Sequence, residues 1–470
     1  FQLASTCLTI ADYCWRQGIW VMSSAFWHIQ LIGSCLRAGG GLLVALFLLA
    51  ACADKELILK GEREAVLTEI SSLVIDDGAA AEFGAIGSPT INQDAGHPGL
   101  SAGHAGGHLT LETPLKQVWR SRIAAPDDDV VSLPQPMISG GRIYALGADA
   151  LLTAFDLESG DVFWQFQVNA PDSGLFPGKA GGIAVNDEVV AVHAARNSLS
   201  LLDVKNGSEI WRIEHDSPLA GGPTLIGNLG VVVTDIDGYV FVYRLSDGEL
   251  AWQSIGLPVD TVVFGAPSPA VSGAELDLAG AGGEIAIHNI DNGQLLWADS
   301  LATLSPTTPL QELGDVLAHP IHDGENIYVI SQSGLLSAYD SKTGFQIWEH
   351  PLAGLQMPWI AGDSLFVLSV EGHVIALRKS DGAVRWMTAL EGSGELGAAK
   401  PGTVTDYFGP IVASGMVHVL SEAGKLVSLN ADTGAKISSQ SLGGKIRVSP
   451  QIAQSSFIYL TQSGQLTVMR

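Results

Sequence analysis

Asp156-Leu157-Glu158-Ser159-Gly160-Asp161-Val162-Phe163-Trp164 decides the fold, because its skeleton returns about every 45 residues along the chain. The clearest second copy is Asp340-Ser341-Lys342-Thr343-Gly344 followed by Trp348. Others run from Asp203 through Asn206-Gly207 to Trp211, from Asp247-Gly248 to Trp252, from Asn292-Gly293 to Trp297, and from Asp381-Gly382 to Trp386. A seventh, Asn430 to Gly434, carries Ser438 where Trp is expected. The Gly-to-Trp spacing never varies. A fixed period of this length is the mark of a repeat architecture, in which each unit buries its apolar surface against its neighbours.

Each copy lies between two β-like runs. Leu151-Leu152-Thr153-Ala154-Phe155 and Leu335-Leu336-Ser337-Ala338-Tyr339 precede the phrase, and the Trp lies in the run after it. Asp, Asn, Ser and Thr start turns through side-chain hydrogen bonds to nearby backbone, and Gly supplies the positive φ of a bulged hairpin. A further Gly turn precedes most of the first runs, as at Gly238, Gly334, Gly372, Gly424 and Gly464. Another strand lies before that turn (Arg142–Leu146, Asn326–Ile330, Ser364–Leu368, Met416–Leu420), and a Pro-containing run lies before that strand. Four strands per unit make a propeller blade.

Third-strand runs occur eight times, and the last, Gln465–Met469, has no run after it. Fourth-strand runs also occur eight times, and the first, 115–120, has none before it. The two orphans complete one another. The expected fold is all-β, an eight-bladed β-propeller of four-stranded antiparallel blades over residues 115–470, closed by pairing the N-terminal strand with the C-terminal blade. Closure removes the open edges of the ring. Trp119, Trp164, Trp211, Trp252, Trp297, Trp348 and Trp386 are the expected anchors between blades, since an indole buries a large area and carries one donor.

The N-terminal region reads as an address. Residues 42–51 are apolar, with Arg37 and Gly39-Gly40-Gly41 before them and Cys52 after. A run of this length is too short to span a bilayer, which takes about 20 residues, and fits the core of a secretory signal. Residues 1–51 are therefore expected to be a signal region, with Met22 a plausible start and residues 1–21 an over-extended translation. Leu49-Ala50-Ala51-Cys52 resembles a bacterial lipobox, which implies lipidation at Cys52 and a membrane anchor. In such lipoproteins Asp directly after the Cys favours the inner membrane. Ala53 stands there, which implies the periplasmic face of the outer membrane. Cys7, Cys14 and Cys35 all precede Cys52, so a chain starting at Cys52 has no cysteine pair for a disulfide.

Residues 52–114 lack strand periodicity and are expected to be a flexible tether. Its stretch from Gly96 to His108 is rich in Gly and His, and His97, His104 and His108 at this spacing suit Zn²⁺ or Cu²⁺. No carboxylate or thiolate nearby completes such a site, so a linker packed on the first blade is the favoured reading and no metal is assigned. The net charge of −25 argues against nucleic acid and anionic lipid surfaces as partners. Loops at 303–319 and 389–409 depart from the short-turn pattern, and long loops on a rigid scaffold often carry function.

The blade phrase resembles the repeat of proteins related to pyrroloquinoline-quinone dehydrogenases. Those enzymes place adjacent cysteines over the quinone and hold Ca²⁺ with carboxylate and Asn ligands. From Cys52 onward this chain has no cysteine pair, and no Asp, Glu and Asn cluster stands out from the turns. No Ser/His/Asp elbow or phosphate loop replaces them, and Asp127-Asp128-Asp129 reads as an exposed loop run. No cofactor and no catalysis are expected. Lipobox, tether and trimmed ring together resemble the BamB family, lipoprotein subunits of the outer-membrane β-barrel assembly (Bam) machinery. The phrases His104-Ala105-Gly106-Gly107-His108-Leu109 and Pro358-Trp359-Ile360-Ala361-Gly362-Asp363 carry that likeness too. The resemblance implies a scaffold that aids insertion of barrel proteins and binds the POTRA domains of the central barrel subunit, with other Bam lipoproteins and unfolded outer-membrane proteins as further partners. Contact residues carry over as Leu219, in Ser217-Pro218-Leu219-Ala220, and Asp315, in Asp315-Val316-Leu317. A quinoprotein oxidoreductase or a periplasmic ligand-binding propeller is the alternative.

Overall fold

The computed structural model describes residues 73–470, apart from 124–131, 169–180, 195, 256–265, 281–282, 302–315, 317, 395 and 397–405. Thirty-two strands form eight four-stranded antiparallel sheets. Blade 1 holds β2 (Met137–Ser139), β3 (Arg142–Leu146), β4 (Leu151–Asp156) and β5 (Val162–Gln167). Blades 2 to 7 repeat this order with β6–β9 (182–214), β10–β13 (219–255), β14–β17 (270–300), β18–β21 (321–350), β22–β25 (359–389) and β26–β29 (407–441). Blade 8 takes β30 (Gln451–Ala453), β31 (Ser456–Leu460) and β32 (Gln465–Met469) from the end of the chain and β1 (Gln117–Arg122) from its beginning.

The closure expected from the two orphan strands is therefore present, with β1 starting at Gln117 rather than residue 115. Trp119 faces Val468 and Arg122 faces Gln465 across the seam. The amides of Lys116 and Arg470 donate to one another's carbonyls at 2.6 and 2.9 Å. The Arg470 guanidinium then reaches Glu158 in blade 1, so the last residue ties blade 8 to its neighbour.

The recurring Gly and Trp prove to be two halves of one joint. In each of seven hairpins the Gly amide donates four residues back, as from Gly160 to Asp156 and from Gly344 to Asp340, both at 2.9 Å. Its φ lies in the left-handed region, +78° at Gly160 and +71° at Gly434, where a side chain is strained. The same Gly is the floor on which the preceding blade's indole rests. A Cβ built on Gly207 would lie 2.5 Å from Trp164, and one on Gly434 2.5 Å from Trp386. Each indole N–H crosses to a carbonyl of the next blade: Trp119 to Leu157, Trp164 to Val204, Trp211 to Leu245, Trp252 to Ile290, Trp297 to Ser341, Trp348 to Lys379 and Trp386 to Ala431, at 2.7–3.1 Å.

This geometry also explains Ser438. Blade 8 has no hairpin between its third and fourth strands, because these come from residues 465–469 and 117–122, so an indole from blade 7 would find no Gly floor. Gln440 serves that junction instead, donating to the Leu115 carbonyl at 2.7 Å. Ser438→Ala is accordingly expected to change unfolding free energy by no more than about 0.5 kcal/mol, measured by urea denaturation.

The flexible tether expected over 52–114 is corrected for residues 73–114, while residues 52–72 lie outside the described residues. Residues from Glu69 to Arg470 form one compact unit, and residues 73–114 are packed along the ring. Asp76 caps a single helical turn, α1 (Asp77–Ala80), by accepting from the Ala79 amide at 2.7 Å. Further on, Ala95, His104 and Leu109 are buried to 1% exposure or less.

Candidate partner-binding site

The ring offers three surfaces to a partner: the mouths of its central channel, its outer edges, and the N-terminal segment laid over it. The channel holds a cavity of about 300 Å³, lined by residues of the eight blades or of the segments leading into them, such as Met137, Leu219, Trp359, Phe408 and Arg447. Pro98 and Gly99 of the N-terminal segment also line it.

Leu219 lines that cavity from the start of blade 3. It opens β10 with 0% exposure, in an apolar cluster with Leu199, Leu225 and Val231. Its amide donates to Arg196, and its burial makes it a strand-core residue; the expectation of a surface anchor is corrected here. Asp315, Cys52, the signal region 1–51 and Asp127-Asp128-Asp129 lie outside the described residues, as do most of the 303–319 loop and residues 395 and 397–405 of the other.

The three histidines that suited a metal are committed to backbone groups of different blades. His97 Nε2 accepts from the Leu225 amide in blade 3 at 3.0 Å. His104 Nδ1 donates to the Pro320 carbonyl beside blade 5 at 2.8 Å. His108 Nδ1 donates to the Gly87 carbonyl, which leaves Nε2 to accept from the Gly415 amide in blade 7, both at 2.8 Å. Burial, with His104 nearby, pushes His97 down to about 3, and burial pushes His104 down to about 4 against its bond to Pro320. Both are neutral hydrogen-bonding spacers near pH 7. His319 completes the group: its ring lies 5.3 Å from that of His104, and its Nδ1 accepts from Ser268 at 2.8 Å.

The outer edges carry a pattern that spacing alone did not disclose. The residue before each Trp position is apolar and exposed on six blades: Val118, Phe163, Ile210, Leu296, Ile347 and Ile437. Fourth strands also have one edge without a partner strand in their own sheet, and such edges can add an extended chain. Blade 6 departs from the pattern. Arg385 replaces the apolar residue, is buried, and pairs with Glu82 at 3.0 Å. Its edge is already covered: Ile75 pairs in parallel with Val384, whose carbonyl accepts from the Asp76 amide at 2.9 Å. Glu82 also meets Arg378 at 2.7 Å. Glu82→Gln is expected to free this segment locally, with exchange of the Asp76 amide rising about tenfold and the melting temperature of the ring unchanged.

Indoles set on glycine floors around a closed ring of eight four-stranded blades define a PQQ-like repeat propeller. The family described as "Outer membrane protein assembly factor BamB" matches residues 109–178 and 172–388, more than half the chain. The chain belongs to that family. It is 21% identical over 356 residues to the Outer membrane protein assembly factor BamB of Yersinia pestis, covering 74% of this chain and 87% of that protein. An uncharacterized Rickettsia conorii protein, RC0314, is 24% identical over 261 residues, 55% of this chain, and the chain spans 63% of its length. Among solved structures, BamB from Moraxella catarrhalis superposes with a TM-score of 0.63 at 20% identity, over 76% of this chain and 99% of that one. A quinohemoprotein alcohol dehydrogenase from Pseudomonas putida HK5 shares the fold at a TM-score of 0.59 and 14% identity, over 86% of this chain and 83% of that one.

Proposed function

We propose that the protein is a non-catalytic scaffold of the machinery that assembles β-barrel proteins in the outer membrane, anchored through a lipid on Cys52 at the periplasmic face. Membership of the BamB family carries this reading. The partners proposed are the POTRA domains of the central barrel subunit and other Bam lipoproteins, with Asp315 as a polar contact at the entry to blade 5. The exposed apolar residues on unpaired outer strands suit extended, alternating segments, the form in which unfolded barrel strands would arrive. A photoreactive residue at Ile347 is expected to capture unfolded barrel precursors, while one at the exposed Leu229, on a turn away from the outer strands, is not. Equal capture at both positions would sink the edge assignment.

The dehydrogenase neighbour motivates one rival, a quinoprotein oxidoreductase. It requires saturable binding of pyrroloquinoline quinone with Ca²⁺ present, read by quinone absorbance. The scaffold reading expects no saturation.

A further inference from the structure

The segment from Asn92 to Leu109 is bonded to every blade. Blades 3 and 7 donate to its histidines, as described above. The His322 amide of blade 5 donates to Gly103 at 2.8 Å, and the Trp359 indole of blade 6 to Gly107 at 2.8 Å. The other four blades complete the circuit in ring order. Gln454 of blade 8 donates to Asn92, Ile138 of blade 1 to Ala95, Val185 of blade 2 to Gly96 and Val271 of blade 4 to Ala102, at 2.8–3.0 Å. Sequence order along the segment is thus blade order around the ring.

Its glycines answer to close approach. A Cβ on Gly96 would stand 2.1 Å from the Val185 carbonyl oxygen, one on Gly103 2.6 Å from that of His322, and one on Gly106 2.4 Å from the Trp359 ring. No side chain fits at these crossings, so the Gly-rich composition is a condition of the fit rather than of looseness.

We infer that residues 92–109 are a circumferential lock, which fixes the spacing of all eight blades at one mouth of the channel and closes that mouth. The ring then has two closures of different kinds, the strand seam in blade 8 and this belt. A pull on the arm N-terminal to Asn92 is shared among eight blades, and a partner reaches the channel only through the opposite mouth.

Amide hydrogen exchange on the full chain tests the lock, because its donors act as reporters on separate blades. In the wild type the amides of Ile138, Val185, Leu225, Val271 and Ser414 are expected to exchange as slowly as the core. In a Gly96→Val/Gly103→Val variant all five are expected to lose protection together, on the order of 100-fold, while Val232 and Val367 in second strands keep theirs. Loss confined to Val185 and Val271, the reporters nearest the two substitutions, would overturn the proposal, as would fast exchange of the reporters in the wild type. If the double variant does not fold, a protease site inserted after Leu100 is cut in the folded protein. Concerted loss at the five reporters after cutting supports the lock, and unchanged protection refutes it.

Discussion

Trp386→Ala is expected to destabilise the ring by about 3–5 kcal/mol, the range for emptying a buried indole site. The residue is 5% exposed, donates to Ala431 at 2.9 Å, and covers Gly434. The reciprocal change attacks the same joint from its other side. Gly434→Val places a β-branched residue at φ +71° and drives a Cβ to within 2.5 Å of the indole. Left-handed strain of about 1–2 kcal/mol and overpacking of about 1–3 kcal/mol give a similar total. The diagnostic outcome is non-additivity, since both changes break one contact: Trp386→Ala/Gly434→Val should cost less than the sum of the singles. Additive costs in urea denaturation would show that the indole and the glycine act separately.

Stability should also fall steeply on acidification. His97, His104, His193 and His418 are buried and His319 is half-buried, and burial pushes all five down to about 3 or 4. Unfolded, each titrates near 6.5. The folded state therefore has its full stability above pH 6.5 and loses it as pH falls toward 4, by about 1.4 kcal/mol per pH unit for each such group. His322 runs the other way. Burial lowers its pKa, but Asp277 at 3.0 Å and Glu275 at 3.4 Å raise it above the ordinary value. Its contribution is present below pH 6.5 and is lost as pH rises through that raised value, so the slope below pH 6.5 belongs to the other five. The expected net result is a loss of several kcal/mol between pH 7.5 and 5. His97→Gln should reduce the slope by about one proton, and an unchanged slope would contradict the assignment of His97 as a buried neutral group.

The blade count and the closure were legible because each rests on local signals, a turn glycine and a strand period, repeated in register. The role of the glycine was only half legible. Its turn can be read from Asp156 to Gly160, but the indole above it comes from another blade, 41 residues earlier at Trp119. The belt was misread for a related reason. His97 meets Leu225 and His108 meets Gly415, contacts 128 and 307 residues apart, and no periodicity records them. Gly and His in an aperiodic stretch therefore looked like a linker packed on the first blade. Leu219 was misplaced because a match to a loop motif does not report that the strand has already begun there. Arg385 gave a usable signal: a charge at the one position that is apolar on six other blades marks an edge already occupied.

The central claim is most directly tested by affinity purification of the tagged protein from native membranes in mild detergent, with partners identified by mass spectrometry. The account predicts recovery of a POTRA-containing barrel protein at near-stoichiometric level. Its absence, with the bait intact and in the outer membrane, would contradict the scaffold role.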